Sequence, residues 1–193
     1  MRNRTARALG IALLATAPVA SAGTISGTVP VSGAADADRT VVYVETVPKS
    51  SFPADRVRMS QKGARFSPSL LPVVAGSNVD MTNDDWVAHS VFSKSEVEPF
   101  DLGLYSPGVA KSVAFDRTGP VEVFCSIHPR MNAVVLVLQN PYFAKPEADG
   151  SYSIEGVPPG TYTLKVHKLD GEDATRQVTV AQEPVEVSFS NAD

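Results

Sequence analysis

The residues with the most chemistry to offer lie on one short turn. In VEVFCSIHPRMNAVVLVL (121–138), Cys125, His128 and Met131 fall within seven positions, in a chain of 193 residues that contains one cysteine, three histidines and four methionines. Side chains alternate along an extended strand, so VEVFC places Val121, Val123 and Cys125 on one face. The turn SIHPRM then brings His128 and Met131 round toward the sulfur before the next strand begins. A further histidine, His89 in NDDWVAHSVF, opens another strand 36 residues upstream. Two imidazoles, a thiolate and a thioether form the set that holds copper in a trigonal His₂Cys site with a weak axial Met. The sulfur ligands suit Cu(I) and the imidazoles hold Cu(II), so one fixed geometry serves both oxidation states. Zinc is the other metal for Cys with two His, but it wants a fourth hard or thiolate ligand, which Met131 is not.

Taken singly, each of these residues has a plainer reading. A lone buried Cys, a core His and a core Met are all ordinary packing. Their conjunction at this spacing is what points to a metal. Elsewhere the chemistry is thin. His167 in LKVHKLD reads as a strand surface residue. Asp84 and Asp85 are adjacent, so on a strand they point apart, and a loop or solvated face is expected. Trp86 is expected in the core. There is no G-x-S-x-G context and no glycine-rich phosphate loop. A catalytic metal needs an open coordination position, and four protein ligands would fill this one. The chain therefore reads as a metal protein and not as an enzyme.

The elements that must position these ligands are β-strands. From Thr24 onward, short runs rich in Val, Thr and aromatics alternate in polarity, among them TISGTVPV, TVVYVETV, SNVDMTN, HSVFS, VEVFC, AVVLVLQ and TYTLKVHK. Clusters such as SGAADAD, RTGP, EADG and PPG separate them as turns. No stretch longer than about ten residues keeps a helical apolar period. The expected fold class is all-β, with β-sandwich architecture.

Three resemblances extend this reading. The set His89, Cys125, His128 and Met131 on a β-sandwich resembles the cupredoxins, and the two-residue gap between His128 and Met131 is similar to the ligand loop of amicyanin. The run FDLGLYSPGVAKSVAFDRTGPVEVFCSIHPRMNAVVLVLQNPYFA, followed by DGSYSIEGVPPGTYTLKV, resembles periplasmic plastocyanin-like proteins labelled methylamine utilization proteins. The segment DGSYSIEGVPPGTYTL is in turn similar to the carboxypeptidase-regulatory-like (transthyretin-like) sandwich. The opening strands of that module lie far upstream, at 25–47. The resulting expectation is a discontinuous regulatory-like sandwich, 23–49 with 144–193, into which a cupredoxin-like Greek-key domain, 50–143, is inserted. Insertion at a loop is cheap, because closure entropy grows only logarithmically with length. The resemblance implies copper as cofactor and electron transfer between redox partners. It also implies a docking edge at His128, for which Leu70, Leu71, Phe92 and Pro129 are the expected apolar rim and Arg130 the charge. One departure concerns Ser90. Many cupredoxins carry Asn after the first histidine ligand, and here the tie to Cys125 is expected to be weaker or to come from Asn83. Copper delivery, and a structural β module in which the metal is secondary, are the alternatives.

Residues 1–22 read as a signal peptide. Arg2, Arg4 and Arg7 precede the apolar ALGIALLATAPVA, and Ala20-Ser21-Ala22 supplies the small residues a signal peptidase needs. Removal takes three of 17 basic residues and none of 21 acidic ones, so the mature charge is 14 − 21 = −7. That balance argues against nucleic acid as a partner. No later segment reads as a transmembrane anchor. The expected location is the periplasm, where a lone exposed thiol would oxidise and a buried or metal-bound one would not.

Overall fold

The computed structural model describes residues 22–48 and 51–190. The leader expected over 1–22 therefore lies, Ala22 excepted, outside the described residues. The chain opens with β1 (Gly23–Thr28), a one-turn helix α1 (Ala34–Ala37) and β2 (Thr40–Val44). It continues through β3 (Arg56–Gln61), β4 (Phe66–Ser67), β5 (Leu70–Val74), β6 (Ser77–Asn83) and β7 (His89–Ser93). Next come β8 (Phe100–Tyr105), β9 (Ala110–Phe115), β10 (Gly119–Phe124) and β11 (Asn132–Leu138). The last strands are β12 (Phe143–Ala144), β13 (Ser151–Val157), β14 (Gly160–Lys168), β15 (Ala174–Val180) and β16 (Val185–Glu186). The fold is all-β, as the alternation predicts; the one described helix falls in SGAADAD, where a turn was expected.

Four sheets form, and they face one another in pairs. Sheets β13-β1-β16 and β12-β2-β14-β15 enclose a core that includes Ile25, Val42, Val44, Ile154, Leu164 and Val178. Sheets β5-β11-β10-β7-β8 and β4-β3-β6-β9 enclose a second core around Met59, Met81, Val91, Phe115, Val123 and Val135. Within the first pair, β1 runs antiparallel to β13 with Ile25 opposite Ile154, and β2 runs antiparallel to β14 with Val44 opposite Leu164. Gly150 closes the turn before β13 at φ +86, and any Cβ there would lie 2.2 Å from the Val29 carbonyl oxygen. Only glycine fits such an approach.

Strands β2 and β11 are buried on both faces. On β11, Ala133, Val135 and Val137 enter the second core, while Leu136 and Leu138 join Val41, Tyr43 and Leu70 in an apolar layer between the sandwiches. AVVLVL and TVVYV, grouped above with the alternating runs, are thus corrected to continuous apolar ones, because both of their faces are covered. Polar contacts close the same junction. Lys145 Nζ donates to Asp38 Oδ1 at 3.0 Å and to the Leu70 carbonyl at 2.8 Å, and the Ser69 N–H donates to Asp38 Oδ2 at 2.9 Å.

The site depends on the second pair. Antiparallel pairing of β10 with β11 sets Val123 opposite Ala133 and Phe124 opposite Asn132, leaving 125–131 as the connecting loop. Phe124 also pairs with Phe92 on β7, which brings the strand that begins at His89 alongside. Val121 and Val123 are fully buried and Cys125 is 4 % exposed, so the sulfur follows the inward face of β10 as expected. Each such Val side chain contributes about 1.5–3 kcal/mol by leaving water, which fixes the register that aims the cysteine.

Candidate metal centre

Three of the four expected ligands converge through their side chains. His89 Nδ1 lies 3.0 Å from His128 Nδ1, and Cys125 Sγ lies 3.9 Å from the first and 3.7 Å from the second. Among the described residues, these are the His, Cys, Asp or Glu side chains grouped closely enough to hold an ion. The triangle can be tested against metal–ligand bonds. With sides of 3.0, 3.7 and 3.9 Å, a point in its plane about 2.0 Å from both nitrogens lies about 2.2 Å from the sulfur. Ordinary bonds to zinc are about 2.0–2.1 Å for imidazole and about 2.3 Å for thiolate. One ion fits without moving any donor. The donor types, two borderline nitrogens and a soft sulfur in a trigonal plane, suit copper best.

Met131 closes the loop through its backbone. Its N–H donates to the His128 carbonyl at 2.8 Å, and its own carbonyl accepts the Cys125 N–H at 3.2 Å. The side chain is 1 % exposed and belongs to the same core cluster as Cys125. His89 is fully buried, whereas His128 is partly exposed and lines a cavity of about 620 Å³. That cavity lies between the Gly63–Arg65 turn and the loop 127–131, and Met131 also borders it.

Ser90 ties the two ligand segments together. Its Oγ accepts the Ser126 N–H at 2.8 Å, lies 2.7 Å from Ser126 Oγ, and donates weakly toward Cys125 Sγ at 3.9 Å. Asn83, the other residue expected to reach the sulfur, does something else. Its amide donates to the Val87 and Tyr105 carbonyls at 2.9 and 3.1 Å and accepts the Asp85 N–H at 3.1 Å, which shapes the 84–88 loop. Burial pushes the Cys125 thiol up, but the Ile127 and Ser90 N–H groups, together with His89 and His128, outweigh it and hold the thiol at about 6. A thiolate at neutral pH is the form that binds metal.

Asp85 is the residue the sequence reading missed. The adjacent carboxylates do diverge: Asp84 turns to Arg58, Ser60 and Thr82 on the solvated face. Asp85 turns inward, with Oδ2 accepting the Ala64 N–H at 2.9 Å and lying 3.0 Å from His89 Nε2, while Oδ1 accepts the Trp86 N–H at 2.8 Å. The two backbone donors, then His89, hold its carboxyl at about 2. The spacing D-x-x-x-H was the available signal, but it closes through a turn, where strand alternation does not apply.

Two expectations about the surface are corrected. Trp86, expected in the core, is 93 % exposed, because Asn83 and Asp85 turn the loop outward at that point. Leu70, expected on the docking rim, is fully buried in the layer between the sandwiches. Among the described residues, the exposed large apolar ones are instead Trp86, Val87, Leu104, Val109 and Ile127. Most of them sit at the ligand end. Leu104 pairs with Ser90, the Val87 and Val109 carbonyls both bond Asn83, and Ile127 is on the ligand loop. His167, expected at the surface, is half-buried and 2.7 Å from Asp173 on the neighbouring hairpin segment.

No family model matches the sequence, and no curated protein does. Solved structures are similar over part of the chain. A purple cupredoxin from Nitrosopumilus maritimus is 25 % identical over 42 % of this chain and 98 % of its own, with a TM-score of 0.40. A reduced amicyanin variant is 23 % identical over 48 % of this chain and 96 % of its own, with a TM-score of 0.40. A copper-containing nitrite reductase from Thermus scotoductus SA-01 is 21 % identical, covering 59 % of this chain but only 28 % of its own, with a TM-score of 0.43.

Proposed function

We propose that this chain is an exported cupredoxin that carries single electrons between protein partners in the periplasm. The observation that carries the reading is the donor triangle: His89 Nδ1, His128 Nδ1 and Cys125 Sγ stand 3.0–3.9 Å apart before any ion is bound. When bound there, copper supplies the one-electron step between Cu(II) and Cu(I), the electron arriving from a reduced partner and leaving to an oxidised one. The chain's own residues do the rest. His89, Cys125 and His128 would hold the ion through two imidazoles and a thiolate, and Met131 would add its thioether. The buried β7–β10–β11 scaffold keeps the donors from rearranging between oxidation states. His128 is the partly exposed ligand and therefore the exit toward a partner. Trp86, Val87, Leu104, Val109 and Ile127 give that end an apolar docking face, with Arg65 and Arg130 exposed beside the cavity.

In this reading residues 50–143 form the copper domain, inserted into a regulatory-like sandwich built from 23–49 and 144–193, as in proteins labelled for methylamine utilization. Residues 1–22 are the export signal, and no described helix is long and apolar enough to cross a membrane. The chain is a carrier and not an enzyme. One observation favours a second reading, copper delivery: the cavity of about 620 Å³ reaches His128 and Met131. The two readings separate on one experiment. Protein loaded with one copper per chain is cycled between oxidation states in the presence of a strong Cu(I) chelator. An electron carrier survives repeated cycles with its copper retained. Loss of the metal to the chelator within a single cycle would replace the carrier with the delivery protein.

A further inference from the structure

We propose that Asp85 is the positioning residue of the metal site, a carboxylate that accepts the hydrogen bond from His89 Nε2–H and so leaves Nδ1, with its lone pair, facing the metal. The proposal rests on His89 as a ligand and adds a residue that no expectation placed at the site. Three contacts support it. Asp85 Oδ2 lies 3.0 Å from His89 Nε2, on the side of the ring opposite the donor triangle. The His89 ring is fully buried, so its Nε2–H has no water to bond and needs this acceptor. The carboxylate is itself fixed, because the Trp86 and Ala64 N–H groups donate to its two oxygens at 2.8 and 2.9 Å.

The Ala64 contact links the site to a neighbouring hairpin. Lys62 and Arg65 bond each other's backbones across a two-residue loop, N to O at 3.0 and 3.3 Å. Gly63 and Ala64 stand at φ 60 and 51 in that loop, the left-handed pair such turns require. This turn also forms one wall of the cavity beside His128. Asp85 thus joins the buried ligand to the wall facing the exposed one. A carboxylate behind a ligating imidazole fixes its tautomer and raises its basicity. More basic imidazole favours the more highly charged ion, so Asp85 stabilises Cu(II) over Cu(I) and lowers the reduction potential.

The test begins with full-length metal-free protein. Nitrogen-15 long-range correlation spectra at about pH 8, well above the ordinary imidazole range, should show His89 as a single tautomer protonated on Nε2. Asp85→Ala should populate both tautomers and weaken Cu(II) binding about 10–100-fold, with a smaller loss for Cu(I) and so a higher potential. Asp85→Asn keeps an acceptor without the charge. It should retain the tautomer yet raise the potential, a shift that a purely structural role would not produce. A proton on Nδ1 in the native protein overturns the proposal. So does an Asp85→Asn protein with an unchanged potential. If Asp85→Ala does not fold, the native tautomer and the Asn variant still decide. Native protein that takes up no copper would sink the metal reading alone, because the tautomer is read without metal.

Discussion

Ser90→Ala gives a quantitative test of how the two ligand segments are held together. Ser90 is 5 % exposed, and its hydroxyl makes two good bonds to the ligand loop, 2.8 Å from the Ser126 N–H and 2.7 Å from the Ser126 hydroxyl. Each such bond is worth about 1 kcal/mol net, so their joint loss costs about 2 kcal/mol. The stranded Ser126 N–H is only partly buried and recovers some hydration, which keeps the cost from rising further. For a chain of this size that corresponds to a fall in Tm of roughly 4–8 °C. Removing the hydroxyl leaves the Ser90 backbone N–H, which also supports the sulfur, in place. The assay is thermal unfolding of metal-free protein, followed by copper titration. Ser90→Thr, which keeps the hydroxyl, should recover most of the loss. A shift below about 1 °C would refute the claim that Ser90 stitches His89 to the Cys125 loop, and the tie would then have to lie in the backbone alone.

Three further outcomes follow from the same geometry. Metal-free protein should show thiolate absorbance rising with a midpoint near pH 6, because Cys125 is held at about 6 against a usual value of 9.0. A depressed value means that the native state releases its proton first, so stability relative to Cys125→Ala should rise between about pH 6 and 9 and be lost as pH falls through about 6. Met131→Leu conserves volume and should cost less than about 1.5 kcal/mol. Met131→Ala should cost about 2–5 kcal/mol in unfolding experiments. If both variants shift the reduction potential alike, the sulfur is a ligand; an unshifted Leu variant makes Met131 packing alone. Lys145→Ala removes the cation that bridges Asp38 and the Leu70 carbonyl. It should cost about 2 kcal/mol and broaden or split the calorimetric transition as the two sandwiches uncouple, whereas a single unshifted peak would show the apolar layer to be sufficient.

Much of this arrangement could be read in advance, for reasons that are local. Alternation in VEVFC determines which way Cys125 points, and the short SIHPRM turn keeps His128 within reach of it. The runs TVVYV and AVVLVL group in sequence with the alternating strands, and their burial on both faces comes from the second sandwich packed behind them. What failed to show was set by turns and by distant packing. Trp86 looked like core because tryptophan usually is, yet an Asn83–Asp85 turn carries it outward. Leu70 was placed on the rim through the family resemblance, yet β5 backs onto the other sandwich. Asp85 was set aside by an alternation rule that applies only to extended chain.

The most direct test is a visible and electron-paramagnetic-resonance spectrum of the protein loaded with one equivalent of Cu(II), beside the same spectra of Cys125→Ser. The account predicts an intense thiolate-to-copper band, blue or green to the eye, with the narrow copper hyperfine splitting of a sulfur-bound site, both abolished by the substitution. A colourless Cu(II) protein, or a spectrum that Cys125→Ser leaves unchanged, would contradict it.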